Sequence, residues 1–145
     1  MGKFFGLLVV VALGVGIWYF VAGPGSKGSA AGHDLPAAFT QQSFEEALAE
    51  NKTSGKPLIV NFSASWCPPC QQMKRDVWPD ASIESWIKSN AKAIYVDTDV
   101  HGDAAQSYKV EGIPTMIVFK GGKPVDRITG GRGKADFLAW LEKNK

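Results

Sequence analysis

Two cysteines, two histidines and three methionines are all the sulfur and imidazole ligands in this 145-residue chain. A structural zinc site takes four ligands, so it would need both cysteines and both histidines, His33 and His101. His33 lies in a stretch of small residues that reads as a tether, which argues against such a site. No Met-rich motif adds soft ligands, so a copper or zinc carrier would have only Cys67 and Cys70 to offer. Runs of one charge sign are also missing. All but one (Lys3) of the 16 Lys and Arg lie after residue 22, interspersed with 14 Asp and Glu. That leaves no basic footprint for nucleic acid and no polybasic stretch to hold a domain against lipid. The chain has no internal repeat.

Polar residues are absent between positions 4 and 22, "FFGLLVVVALGVGIWYFVA". As a helix this run would span roughly 28 Å, about the hydrocarbon thickness of a bilayer. A cleaved signal has a shorter apolar core, followed closely by small residues in an A-x-A-like pattern. Here Phe20 would occupy position −3 for a cut after Ala22, and the next small-residue site, after Ala31, is distant. Trp18 and Tyr19 suit an interfacial aromatic belt. Residues 1–22 are therefore expected to be a membrane anchor or uncleaved signal; a removed signal is the alternative, and a buried core helix fits least because the run has no polar face. Lys3 and the amino terminus precede the span, so the positive-inside bias places the remainder outside the cytoplasm. Residues 23–38, rich in Gly, Ser and Ala with two prolines, read as a flexible linker. Residues 39–145 then form one domain.

Within that domain Ser43 and Glu46 form a capping box ahead of a helix with Phe44, Ala47 and Leu48 on one face, stopped by Gly55 and Pro57. The near-continuous apolar run Leu58–Phe62 predicts a strand buried on both faces. A helix is expected from Pro68 to about Trp78, ended by Pro79, with Asp80 or Ser82 capping the next. Further strands are expected at Ala91–Val96 and Thr115–Phe119, with a short helix between them. A two-glycine turn at Gly121 and Gly122 leads into an alternating edge strand, "VDRIT". A closing amphipathic helix carries Phe137, Leu138 and Leu141 inward. Strands separated by helices are expected to pair in parallel and the last hairpin antiparallel. The fold class is α/β, a four-stranded mixed sheet flanked by helices.

Both thiols sit in "NFSASWCPPC", immediately after the first strand. A C-x-x-C beside a βαβ pattern reads as a redox motif. Cys67 falls at the helix N-cap, where a cap side chain meets the amide of the third helical residue, here Cys70. The helix N-terminus stabilises a thiolate at Cys67, the nucleophile, and Cys70 becomes the resolving thiol. A structural disulfide closing so short a loop would restrict the unfolded chain little.

"WCPPC", "GIPT" at Gly112–Thr115 and the glycine pair Gly130–Gly131 together resemble the thioredoxin superfamily, over roughly Ser43 to Lys145. "NFSASWCPPC" is similar to membrane-anchored exported thioredoxin-like reductases, including those serving cytochrome c maturation, which usually carry a long insertion that has no room here. "MKRDVWPDASIESWI" looks more like the thioredoxin-like domain of transmembrane disulfide reductases of the DsbD type. The resemblance implies a thioredoxin-like fold with a cis bond before Pro114, and substrate pairing along the backbone of Ile113. It also implies an apolar docking rim of Trp66, Pro68, Ile113 and Gly130. For Trp66, simple core packing is the competing reading. No cofactor is implied beyond the Cys67–Cys70 disulfide itself. Implied partners are disulfide-containing exported proteins and a membrane electron donor, on the periplasmic side of a bacterial inner membrane.

The sequence departs from the family at two positions. Asn61 stands where thioredoxins place a buried carboxylate under the resolving cysteine, and Tyr95 aligns with its usual lysine partner. Asn61 can donate or accept a hydrogen bond but is no base near neutral pH. Pro68 and Pro69 supply no N–H to a Cys67 thiolate, which favours a reducing pair over a strongly oxidising one. The expected function is thiol–disulfide exchange, reducing exported proteins. The alternative is a non-catalytic module that docks extended peptides and assists assembly.

Overall fold

The computed structural model describes residues 35–145. The capping box forms as the sequence indicates. The Glu46 N–H donates to the Ser43 hydroxyl and the Ser43 N–H to the Glu46 carboxylate, starting α1 (Phe44–Ser54). Gly55, at φ +68°, ends it in the left-handed conformation that glycine adopts without a Cβ penalty. Then follow β1 (Leu58–Ser63), α2 (Pro68–Asp76), α3 (Ala81–Asn90) and β2 (Lys92–Asp97). The chain closes with α4 (Gly102–Ser107), β3 (Thr115–Lys120), β4 (Lys123–Thr129) and α5 (Lys134–Lys143). Asp80, not Ser82, caps α3, accepting from the Ser82 and Ile83 amides. Helix α2 ends two residues before Trp78, whose N–H turns back to the Met73 carbonyl.

The sheet order is β2-β1-β3-β4. Strands β1 and β2 run parallel, with Asn61 opposite Tyr95 and Ser63 opposite Asp97. Strand β3 runs antiparallel to β1, Phe62 facing Thr115. This corrects the expectation that every helix-linked strand pairs in parallel. The six residues of α4 rise only about 9 Å, too little to carry the chain back along a six-residue strand of about 20 Å. The connection from Asp97 to Thr115 therefore stays at one end of the sheet, and β3 sets off in the opposite direction.

Helices cover both faces, which is why β1 is buried at all six positions rather than alternately. Leu58, Val60, Phe62, Ile94, Ile117 and Phe119 pack with Phe44 of α1 and Ala104 and Ala105 of α4. Ile59, Ala93, Met116 and Val118 face the other way, toward Met73, Ile83, Trp86, Phe137 and Leu141 on α2, α3 and α5. Asn61 and Ser63, with the period-2 alternation of a strand, belong to this second face, beneath α2. Strand β4 is the exposed edge. Leu35 and Ala38, assigned by composition to the linker, lie against the core, and Phe39 bridges to Ala93. Among the described residues no helix is long and apolar enough to cross a membrane; the apolar run at 4–22 and the linker up to residue 34 lie outside them.

Candidate active site

The head of α2 is built by three residue types with separate tasks. Cys67 is the N-cap, in extended backbone (φ −83°, ψ 112°), and Pro68 and Pro69 occupy the first two helical positions. Their missing amides would be without intrahelical partners there in any case, and their fixed φ suits the helix. The first amide left to the cap is that of Cys70, which donates to Cys67 Sγ at 3.4 Å. The two sulfurs form a disulfide, with Cα atoms 5.3 Å apart. Cys67 and Cys70 are 2% and 4% exposed, in a small apolar cluster with Ala64 against which Ile113 packs.

The loop entering β3 borders this disulfide. The Ile113–Pro114 bond is cis, and Cys67 Sγ lies 3.6 Å from the Ile113 carbonyl oxygen. The Thr115 hydroxyl donates to the Gly112 carbonyl at 2.6 Å and meets Thr129 Oγ1 at 3.0 Å, holding the loop against the start of β3. The Gly130 N–H donates to the Pro114 carbonyl at 2.8 Å. Gly130 has φ +87°, where a side chain would be strained. At Gly131 a Cβ would lie 3.3 Å from Pro69 Cβ, so this glycine lets the β4–α5 loop approach the CPPC turn.

Trp66 is 65% exposed, and its indole N–H donates to Asp99 Oδ2 at 2.8 Å. Core packing does not describe it. Pro68 is exposed, while Pro69 and Ile113 are half-buried. Trp66 and Pro68 adjoin Cys67 in the chain, Ile113 packs against it, and Gly130 is tied to the neighbouring Pro114 through its N–H.

Beneath the disulfide, Asn61 is 4% exposed and its Oδ1 has no hydrogen-bond partner among the described residues. Its neighbour Tyr95 is half-buried. Burial pushes its phenol above the ordinary value, a hydrogen bond with Ser63 works against that, and the charges of Asp97 and Asp99 add to the rise. Among the described residues no three His, Cys, Asp or Glu side chains gather as a metal site. Asp99 was not singled out from the sequence, and Gly131 and Thr115 entered only as parts of the quoted motifs, with no role assigned. Asp99 and Trp66 are 33 positions apart, and no spacing rule joins them.

Comparison with known proteins bears on this geometry. The family described as "Thioredoxin-like domain" matches residues 44–145. A thioredoxin of Mycolicibacterium smegmatis is 42% identical over 88 residues, covering 61% of this chain and 78% of its own. A thioredoxin-like protein of Synechocystis is 33% identical over 99 residues, covering 68% and 89%. The solution structure of a thioredoxin from Thermus thermophilus superposes with a TM-score of 0.62 at 31% identity, over 70% of this chain and 82% of that one. A disulfide at a helix N-cap within this fold is the equipment of a thiol–disulfide oxidoreductase. The chain belongs to the thioredoxin-like family.

Proposed function

We propose that the protein is a membrane-tethered disulfide reductase of exported proteins, in which Cys67 attacks and Cys70 resolves. The observation that carries this reading is the Cys67–Cys70 disulfide lying beside the Ile113 carbonyl, in the loop that enters β3. An extended substrate segment can pair with the Ile113 backbone as an added strand, gaining main-chain hydrogen bonds with little sequence demand. Trp66 and Pro68 flank Cys67 in the chain and Gly130 is hydrogen-bonded to the Pro114 carbonyl, so together they would offer the substrate a rim around that loop. Cys67 thiolate attacks one substrate sulfur, giving a mixed disulfide and a substrate thiol. Cys70 thiolate then attacks Cys67 Sγ, restoring the internal disulfide and releasing the second substrate thiol. The Cys70 amide on Cys67 Sγ and the dipole of α2 both favour the attacking thiolate.

Pro68 and Pro69 leave Cys67 with fewer amide donors than a pair of ordinary residues would. The reduced form is then less stabilised than in strong oxidants, which supports a potential nearer thioredoxin, about −270 mV, than DsbA, about −120 mV. A titrated potential above about −180 mV, the disulfide-isomerase range, contradicts the assignment as a reductase. The apolar run at residues 4–22 supports tethering, with residues 23 to about 34 as linker and the domain on the periplasmic side. Because one span and two thiols cannot move electrons across a bilayer, a membrane donor must re-reduce the pair.

The decisive experiment is Cys70→Ala in cells. Exported proteins should accumulate as mixed disulfides with Cys67, in the membrane fraction and accessible from outside the cytoplasm. A second reading, a non-catalytic docking module, draws on Asn61, which removes the usual base. Cys67→Ser that keeps full cellular function would select that reading, and its loss together with loss of insulin reduction selects the enzyme.

A further inference from the structure

We propose that Asp97 receives the proton of Cys70, through water held against Asn61 Oδ1 in the cavity beneath the disulfide. The proposal rests on the resolving role assigned above to Cys70. The cavity has a volume of about 230 Å³, and its lining includes Cys70, Asn61, Ser63, Lys74, Tyr95 and Asp97. A water molecule takes about 30 Å³ of liquid volume and needs two to four polar partners, so there is room and chemistry for several. Strand alternation explains the grouping. Asn61 and Ser63 point from β1 to the face under α2, and their register partners Tyr95 and Asp97 do the same from β2. The buried Asn61 Oδ1, without a partner among the described residues, can accept an O–H donated by such a water. An oxygen left bare there would carry the desolvation penalty of an unsatisfied buried acceptor.

Of the polar groups on this wall, only Asp97 can act as the base. Asn61 and Ser63 are neutral and not basic. Tyr95 stays a neutral phenol, since burial raises its pKa. Lys74, on α2 across the cavity, is a donor when charged. Two further charged or titratable groups border Asp97 from the following loop, Asp99 and His101. The Asp99 N–H donates to Asp97 Oδ1 at 2.9 Å. His101 gives its backbone N–H to the Asp97 carbonyl and lines a separate small cavity that does not include Cys70. Cys70 S–H loses its proton to water and thence to the Asp97 carboxylate. The thiolate forms the Cys67–Cys70 bond, the Cys67–substrate S–S bond breaks, and the substrate sulfur leaves with the electron pair and takes a proton from solvent. The substrate disulfide gains the two electrons that the cysteine pair loses.

The test uses the reduced full-length chain in mild detergent, reacted with the aromatic disulfide DTNB in a stopped-flow instrument. Attack by Cys67 releases one thionitrobenzoate, and attack by Cys70 on the resulting mixed disulfide releases the second. Asp97→Asn keeps an oxygen for the Asp99 N–H and removes the base. The second phase should slow about 100-fold at pH 7, the low end of general-base effects of about 10²–10⁴, and should climb with pH more steeply than in the unaltered chain. The first phase should stay within about twofold. Adding Asn61→Asp, which puts a carboxylate beside Cys70, should restore the second phase. An unchanged second phase, equal slowing of both phases, or no restoration in a double variant that still completes the first phase overturns the proton route. If the unaltered chain releases only one thionitrobenzoate, the enzyme reading fails and takes this proposal with it; normal two-phase release with an unaffected Asp97→Asn sinks the proton route alone.

Discussion

Trp66→Ala separates a docking surface from a core. An aromatic side chain of this class covers roughly 150–250 Å², and Trp66 is 65% exposed, leaving roughly 130 Å² or more of ring for a substrate. If docking covers about half of that, some 70 Å² at about 25 cal/mol/Å² gives roughly 1.7 kcal/mol. At about 1.4 kcal/mol per tenfold, kcat/KM for insulin reduction should fall about 15-fold. Because the contact is made with substrate and kept in the transition state, the loss should appear mainly in KM. Folding stability should hardly move: the ring's tether is one exposed hydrogen bond to Asp99, and changes at such positions usually stay within about 0.5 kcal/mol. Steady-state kinetics and urea unfolding on the same preparation read both quantities. A stability loss above about 2 kcal/mol, or an unchanged kcat/KM, would refute the reasoning, the first by making Trp66 a core residue and the second by removing it from the docking rim.

Other sites give equally direct expectations. Asn51, buried on α1, donates its amide to the Lys56 carbonyl and accepts the Gly122 N–H, each at 2.8 Å; Asn51→Leu orphans both backbone groups and should cost about 1–3 kcal/mol in urea unfolding. Phe137→Ala removes a fully buried ring from edge contact with Trp78 at 4.8 Å and stacking on Trp140 at 5.5 Å. About 3–5 kcal/mol and a changed tryptophan emission should follow. The Asp126 carboxyl is held below its ordinary range, first by the Asn144 amide and then by Lys143 and the Arg127 N–H, against burial. A depressed folded pKa means its stabilisation is complete above the unfolded value of about 3.9 and fades as pH falls through the folded one. Asp126→Asn should therefore flatten the dependence of the urea midpoint on pH below about 4 and leave it parallel to the unaltered chain above; a slope unchanged in acid would contradict the assignment.

The elements were legible because each is announced locally. Ser43 with Glu46, Gly55, Asp80 and the Gly121–Gly122 turn mark ends by chemistry confined to a few neighbouring residues, and the apolar runs mark strands covered on both sides. Strand direction was not local. Whether β3 runs with or against β1 depends on where a 17-residue connection leaves the chain, and hydrophobic pattern carries no sign for that. Leu35 and Ala38 misled for the opposite reason: small and sparse apolar residues look like linker until Phe39 and Ala93 offer them a surface. Trp140 went unnoticed in α5, where Phe137 and Leu141 already filled the inward stripe, although it too is buried. At the site, the cysteine pair and its cap geometry followed from four residues in a row. The placement of Ile113 against Cys67 and of Gly130 against Pro114 followed only from resemblance, because tertiary packing joins them.

Asn61 and Tyr95 show why two departures from a family pattern count as one. They face each other across β1 and β2, so a carboxylate at one position without a cation at the other would leave a buried charge uncompensated, a loss of about 3–5 kcal/mol for a broken pair. Exchanging both for neutral groups avoids that loss and removes the strongest local charges from beneath Cys70. What remains is an amide oxygen with no protein partner among the described residues and a phenol that burial keeps protonated. Such a pair can hold water but cannot take a proton. The proposed cycle releases one at Cys70 in every turnover, and the polar wall of the cavity next presents a carboxylate at Asp97, two residues along the same face of β2. In the proposed route, neutralising the buried pair moves the acid–base step from the core to the cavity wall, nearer solvent.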